Sequence, residues 1–177
     1  TKLGGTLTCN CACTTLQNED GNVLLDGSGA CSVLYVYGGT VTSNTSGVVG
    51  KYGAITGITK ANPGVVSSTA HGLATGDKVR IASVVGMTEV NQREFFVEWA
   101  SADTFKLTGE NTSSYGAWSS AGYWAKIGSV VVMGDGILDF SKELTARQVA
   151  PAIDVYGDIA EVIDTAKRIT TLSYLTG

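Results

Sequence analysis

Apolar residues in this chain come in runs of four or five at most, such as Val33-Leu34-Tyr35-Val36-Tyr37 and Val130-Val131-Val132-Met133, with a glycine-bearing turn after each. Runs this short, rich in β-branched and aromatic residues, fit strands of about 4–8 residues better than helices. They also fall far below the roughly 20 apolar residues that span a bilayer, so no transmembrane helix and no membrane partner are expected. Composition agrees: 23 Gly, 15 Ser and 21 Thr against 2 Pro favour short strands joined by glycine turns and exclude collagen and proline-rich linkers. With 44% hydrophobic residues the chain is no disordered polymer, and its 177 residues suffice for one domain or two small ones.

Strand-like segments up to about Tyr52 are Thr6 to Cys9, Val23 to Leu25 and Ser32 to Tyr37, with turns at Gly21-Asn22, Asp26-Gly27-Ser28-Gly29 and Gly38-Gly39. Asn44 to Gly53 reads as a loop or linker. From Ala54 to Ile127 turn signals recur at the roughly 8–12-residue spacing of a small all-β barrel or sandwich. Within it, alternation over Arg93 to Trp99 sends Phe95, Val97 and Trp99 to a core face and Glu94, Phe96 and Glu98 to the other. Past Gly128, Ser129 to Met133 is one more strand, turned by Gly134-Asp135-Gly136. Helical periodicity follows once, where Ile159, Val162, Ile163 and Ala166 fall at i, i+3, i+4 and i+7 behind Asp158 and Glu161 as a capping box. A weaker helix could start at Ser141 and must end before Pro151. No repeat of about 20–50 residues is visible, so neither a solenoid nor a propeller is expected.

The expected architecture is mainly β: a small β-barrel at 54–127, inserted in or appended to a β-rich base domain made of 1–53 and 128–177, with one short C-terminal helix at 159–167. Flanks of about 50 residues are marginal alone, which favours their pooling one core. Thr1 to Gly5 lacks the apolar stretch of a signal peptide.

The chemistry-bearing residues are sparse. Cys9, Cys11 and Cys13 alternate, so on one flat strand their thiols share a face, with Cys31 as a fourth. Same-face neighbours about 6.5–7 Å apart stand too far apart for one zinc without a sharp bend, so the expected reading is small buried hydrophobes with free thiols. Zinc, and a disulfide such as one to Cys31, are the alternatives. His71 is the one histidine and sits in a glycine turn, which suits turn packing and excludes a multi-histidine metal site. Glu19/Asp20 and Glu94/Glu98 read as solvated charge rather than as an acid–base pair. Neither a calcium loop, a Walker motif nor a dinucleotide glycine motif is present, and no cofactor or metal is expected. A net charge of −4 offers no uniform basic field, so no nucleic-acid partner is expected.

Several turn signatures follow one another in the middle third: Asn62-Pro63-Gly64-Val65-Val66, then His71-Gly72-Leu73-Ala74-Thr75-Gly76-Asp77, then Gly86-Met87-Thr88-Glu89-Val90-Asn91, then Phe95-Phe96-Val97 and Asp103-Thr104-Phe105-Lys106-Leu107. Residues 54 to 127 thereby resemble the small β-barrel first named in ubiquitin-activating enzymes as the first catalytic cysteine half-domain (FCCH). Similar modules occur in structural proteins of tailed bacteriophages. The resemblance implies the barrel and a virion association. It does not imply the enzyme, since 54–127 holds no cysteine and the chain has no nucleotide-binding domain.

The expectation for function is a non-enzymatic structural protein of a tailed-phage virion, a head decoration (cement) protein or a tail component, assembled in the bacterial cytoplasm. Its partners would be other virion proteins and copies of itself. The alternative is a carbohydrate- or host-receptor-binding module, with Tyr115, Trp118, Tyr123 and Trp124 as a contact surface if exposed and as a cap on the barrel if buried. Near the C-terminus, Leu172, Tyr174 and Leu175 are a candidate assembly segment, able to add a strand to a neighbour's sheet.

Overall fold

The computed structural model describes residues 6–27, 31–45, 50–142, 152–164 and 173–176. It is mainly β, and the chain divides into two compact units, one of Thr1–Lys51 with Gly128–Gly177 and one of Tyr52–Ile127. The first unit begins with β1 (Thr6–Cys9), β2 (Cys13–Asn18), β3 (Asn22–Gly27), β4 (Cys31–Val36) and β5 (Thr40–Thr45). The second contains β6 (Tyr52–Ala54), β7 (Gly57–Ile58), β8 (Val65–Ser67), β9 (Lys78–Ala82), β10 (Glu94–Ser101), β11 (Thr104–Leu107) and β12 (Tyr123–Lys126). The first unit resumes with β13 (Val130–Met133), β14 (Ile137–Asp139), β15 (Ala152–Tyr156), β16 (Glu161–Ile163) and β17 (Ser173–Thr176).

The strands of the first unit alternate between two sheets, ordered β1-β3-β5-β14-β16 and β2-β4-β13-β15-β17, and every pairing in both is parallel. A chain that lays one strand in each sheet per circuit and then climbs is a parallel β-solenoid, the architecture that the sequence reading set aside. The register runs side chains of one kind up the stack: Leu7 beside Val23, Val23 beside Val41, Val41 beside Leu138, Leu138 beside Val162. In the other sheet Leu16, Leu34 and Val130 line up likewise. Val23, Leu34, Val41, Val130 and Leu138 are buried, each contributing about 1.5–3 kcal/mol, whereas Leu7 on the edge strand is 63% exposed.

One corner recurs. Residues 19–21, 37–39, 134–136 and 157–160 each carry the chain from the second sheet to the first. The glycine carbonyls of successive corners accept the amide that opens the next coil: Thr40 N donates to Gly21 O at 2.9 Å, Ile137 N to Gly39 O at 2.8 Å and Glu161 N to Gly136 O at 3.0 Å. Asn18, buried beside the first corner, donates from Nδ2 to Gly38 O at 2.8 Å and so ties two corners together. The corners stack so closely that a Cβ on Gly39, whose φ is +64°, would lie 2.1 Å from Gly21 O.

The second unit is one antiparallel sheet ordered β6-β12-β9-β10-β11-β8-β7, with a single 3₁₀ turn at Thr88–Val90. The ladder is not a closed barrel. It curls, and the chain between its two edge strands bridges them: Ile55 N donates to Gly122 O at 2.8 Å and Thr56 N to Ser67 O at 2.9 Å. Inside lies a core that includes Val66, Ile81, Met87, Phe105, Leu107 and Trp124.

Two local expectations are corrected. The helix at 159–167 is absent where it is described: Glu161–Ile163 is β16, held by the register of Leu138 with Val162, and Ile159 is 69% exposed. Residues 165–167 lie outside the described residues, as does most of the weaker helix, whose first two positions, Ser141 and Lys142, form a turn. Trp99 is not core. A register irregularity between Trp99 and Ser101 ends the regular alternation of β10, leaving Trp99 52% exposed while Phe95 and Val97 are buried.

Candidate functional site

The aromatic stretch from Tyr115 to Trp124 is built into the second unit rather than displayed on it. Trp124 on β12 is buried, donates from Nε1 to Ser68 Oγ at 2.8 Å and meets Phe105 edge-on at 6.0 Å. It is core and presents nothing to a partner. Tyr115 and Trp118 are half-buried against the same core, and Trp118 Nε1 donates to Ala121 O at 3.1 Å. Tyr123 is half-buried on β12.

Polar contacts clamp this loop. Arg93 makes a two-pronged pair with Glu110, Nη1 to Oε1 at 2.9 Å and Nη2 to Oε2 at 2.8 Å. The Tyr115 hydroxyl donates to Glu110 Oε1 and accepts from Arg93 Nη1. The Arg93 guanidinium beside Glu110 holds its carboxyl below the ordinary value, and the Tyr115 hydroxyl adds to the effect. The next residue, Gly116, donates its N–H to Glu89 Oε1 at 2.8 Å, and Glu89 is likewise lowered by its backbone hydrogen bonds. Val85 N to Ser120 O and Ser119 N to Val85 O, both at 3.0 Å, sew the far side of the loop to the turn at Gly86.

The most exposed aromatic rings of the second unit lie elsewhere. Phe96 is 58% exposed on the outer face of β10, and Trp99 emerges at the irregular end of that strand, its backbone N–H donating to Thr75 Oγ1. The alternation assigned Phe96 to the outer face; Trp99 was missed because nothing local marks where a strand loses register.

Opposite charges pair across the strands beside Phe96, and one further pair closes the end of β12. Lys78 pairs with Glu94, Lys106 with Glu98 at 2.6 Å, and Lys126 with Asp77 at 2.7 Å. Glu94 and Glu98 are therefore engaged carboxylates. Glu19 accepts from Gln17, and Asp20 Oδ1 caps Gly21 N at 2.7 Å, so this pair belongs to the first solenoid corner.

His71 is a packing residue. It is buried, Nδ1 accepts from Leu73 N at 3.0 Å, Nε2 faces the carbonyls of Ser101 and Thr104 at 2.8 and 3.2 Å, and the ring meets Phe105 edge-on. A neutral ring donating through Nε2 satisfies all three contacts.

All four cysteines are free, and they stand on both sides of a solenoid corner rather than along one flat strand. Cys9 ends β1, Cys11 lies in the exposed bend, and Cys13 opens β2 in register with Cys31 on β4. Among the described residues no three of His, Cys, Asp and Glu are placed to hold a metal ion, and no helix is long and apolar enough to cross a membrane.

Of the C-terminal candidates, Leu172 lies outside the described residues. Tyr174 and Leu175 are on β17, which pairs with β15 of its own chain and forms an edge of that sheet.

The model of the ubiquitin-activating enzyme E1 FCCH domain matches residues 61–127, a little over a third of the chain and all within the second unit. No curated protein matches the chain.

Proposed function

We propose that the chain is a non-enzymatic structural protein of a tailed-phage virion: a solenoid stalk that carries an FCCH-like module in the sequence between β5 and β13. The observation that carries this reading is the first unit's stack of parallel coils. Among the described residues its sheets end in β1 and β2 at one end and β16 and β17 at the other, and a sheet edge of this kind can be extended by further strands without altering the coil geometry. Such a stack is a stiff, extendable spacer. Of the two placements in a virion, this favours a tail or fibre over a head decoration. The phage association rests on the resemblance of the FCCH-like module, and the other virion proteins and further copies of the chain are its proposed partners.

The engaged carboxylates and the fully satisfied His71 fit a role in assembly. The test is proteomic and imaging work on purified particles of the phage that encodes the chain. Stoichiometric presence, with a label on the chain decorating tail or fibre, is the expected result; absence from intact particles refutes the reading.

Glycan binding remains the second reading, carried by the exposed Phe96 and Trp99 rather than by Tyr115 and Trp118. Glycan-array binding that is lost in Trp99→Ala would support it, and an array without signal would remove it.

A further inference from the structure

The four cysteines form a graded cluster at the coil made by β1 and β2. Cys31 is fully buried, Cys13 and Cys9 are half-buried, and Cys11 is exposed. A cavity of about 500 Å³ opens over Cys9, Cys11 and Cys13, with Leu7 and Leu16 also in its lining. Cys13 and Cys31 are direct ladder partners, and their thiols are hydrogen-bond neighbours; Cys13 also neighbours the thiol of Cys9. Adjacent strands lie about 4.8 Å apart, inside the Cα separation of roughly 4.4–6.8 Å that a disulfide requires. Both residues also open their strands. Cys13 meets both Cys31 and Cys9, yet among the described residues no three ligating side chains are placed to hold a metal ion, which leaves two-thiol chemistry as what this cluster can do.

We infer that Cys13 and Cys31 are an oxidisable pair whose disulfide staples the first coil of the solenoid to the second. With glutathione disulfide as oxidant, the thiolate of Cys13, which faces the cavity, attacks one glutathione sulfur and releases a glutathione thiolate. Cys31 then attacks the Cys13 sulfur and expels the second glutathione. Two protein thiols are oxidised, one glutathione disulfide is reduced to two glutathiones, and the two thiol protons end on them. Burial pushes the Cys31 thiol up to about 12 and raises that of Cys13, so both are protonated at neutral pH and the reaction speeds up as pH rises. The coil so stapled is the one with a sheet edge on its outer side, the position where a cross-link adds most to what packing supplies. The inference is independent of the virion reading, since it concerns only this chain and a small-molecule oxidant.

The test treats the reduced full chain with glutathione disulfide at mildly alkaline pH, blocks the remaining thiols under denaturing conditions and maps the linkage by mass spectrometry. No Lys or Arg lies between Lys2 and Lys51, so a glutamate-specific protease, cutting after Glu19, is needed to separate the two cysteines. The expected product is an intramolecular Cys13–Cys31 link, with free thiols falling from four to two and the melting temperature rising by several degrees. Linkage of Cys9 to Cys11 or Cys13, cross-linking between chains only, or four thiols still free overturns the inference. Cys13→Ser, with Cys31→Ala as a second variant, should abolish the oxidative rise in melting temperature; a rise that persists in either refutes the assignment.

Discussion

Replacing Gly39 by alanine tests whether the stacked corners hold the solenoid together. At φ +64° an L-residue costs about 1–2 kcal/mol. The added methyl would stand 2.1 Å from Gly21 O, 2.5 Å from Gly21 N and 2.9 Å from the Asp20 carbonyl carbon. All three are backbone atoms that cannot rotate aside, so the two corners must part and weaken the 2.9 Å bond from Thr40 N to Gly21 O, about 1 kcal/mol more. The reduced freedom of the unfolded chain returns some 0.4–1 kcal/mol, leaving a net loss of about 3 kcal/mol once residual overlap is included. With a urea dependence near 1.5 kcal/mol per molar, the midpoint falls by about 2 M. Gly128→Ala is the control: φ is +77° but no atom lies within 4 Å of the new methyl, so the backbone penalty of about 1–2 kcal/mol applies, less the same unfolded-chain return, with no steric part. Trp99, Trp118 and Trp124, the chain's 3 tryptophans, all lie in the second unit, so their fluorescence reports that unit while far-UV circular dichroism reports both. Gly39→Ala should lower the circular-dichroism transition and leave the fluorescence transition in place. Equal losses for the two variants, or a fluorescence midpoint that moves in step, would refute the reasoning.

Glu110 carries a pH signature: because its folded carboxyl titrates below the ordinary value of 4.5, its contribution is complete above that value and disappears as pH falls through the lower, folded one. Acid unfolding followed by tryptophan fluorescence should therefore be shallower in Glu110→Gln, which should also cost about 1 kcal/mol at neutral pH; an unchanged acid limb contradicts the clamp. Trp124→Ala should destabilise the second unit by about 3–5 kcal/mol through its cavity and the orphaned Ser68 hydroxyl, while Trp99→Ala should stay within about 0.5 kcal/mol, both read by urea denaturation. Thr112, buried with its hydroxyl donating to Thr59 O at 2.7 Å and accepting from Ala61 N at 3.1 Å, should cost about 1–3 kcal/mol as Thr112→Val; a neutral result would show that the loop does not depend on it.

What the sequence determined by itself was local. β-Branched runs made β4 and β13, glycines made the turns at 21, 38–39 and 134–136, and the ordered signatures over 61–127 coincide with the FCCH match, because strand propensity and positive-φ turns depend on a few adjacent residues. Whether a glycine turn reverses a strand into a hairpin or bends it around a coil is settled by which distant run it pairs with. Here the register steps run from Thr6 to Asn22, Asn22 to Thr40, Thr40 to Ile137 and Ile137 to Glu161, with the whole second unit inside the third step, so no fixed period survives in the sequence. The same non-local pairing made a strand of the helix-like Glu161–Ile163 by stacking Val162 on Leu138, and the strand irregularity that exposes Trp99 left its pattern looking like core. It also folded Cys9 and Cys13 around a corner and set Cys13 beside Cys31. The fate of each segment was decided by hydrogen bonds and side-chain ladders to residues tens of positions away, and those contacts exist only once the coils have stacked.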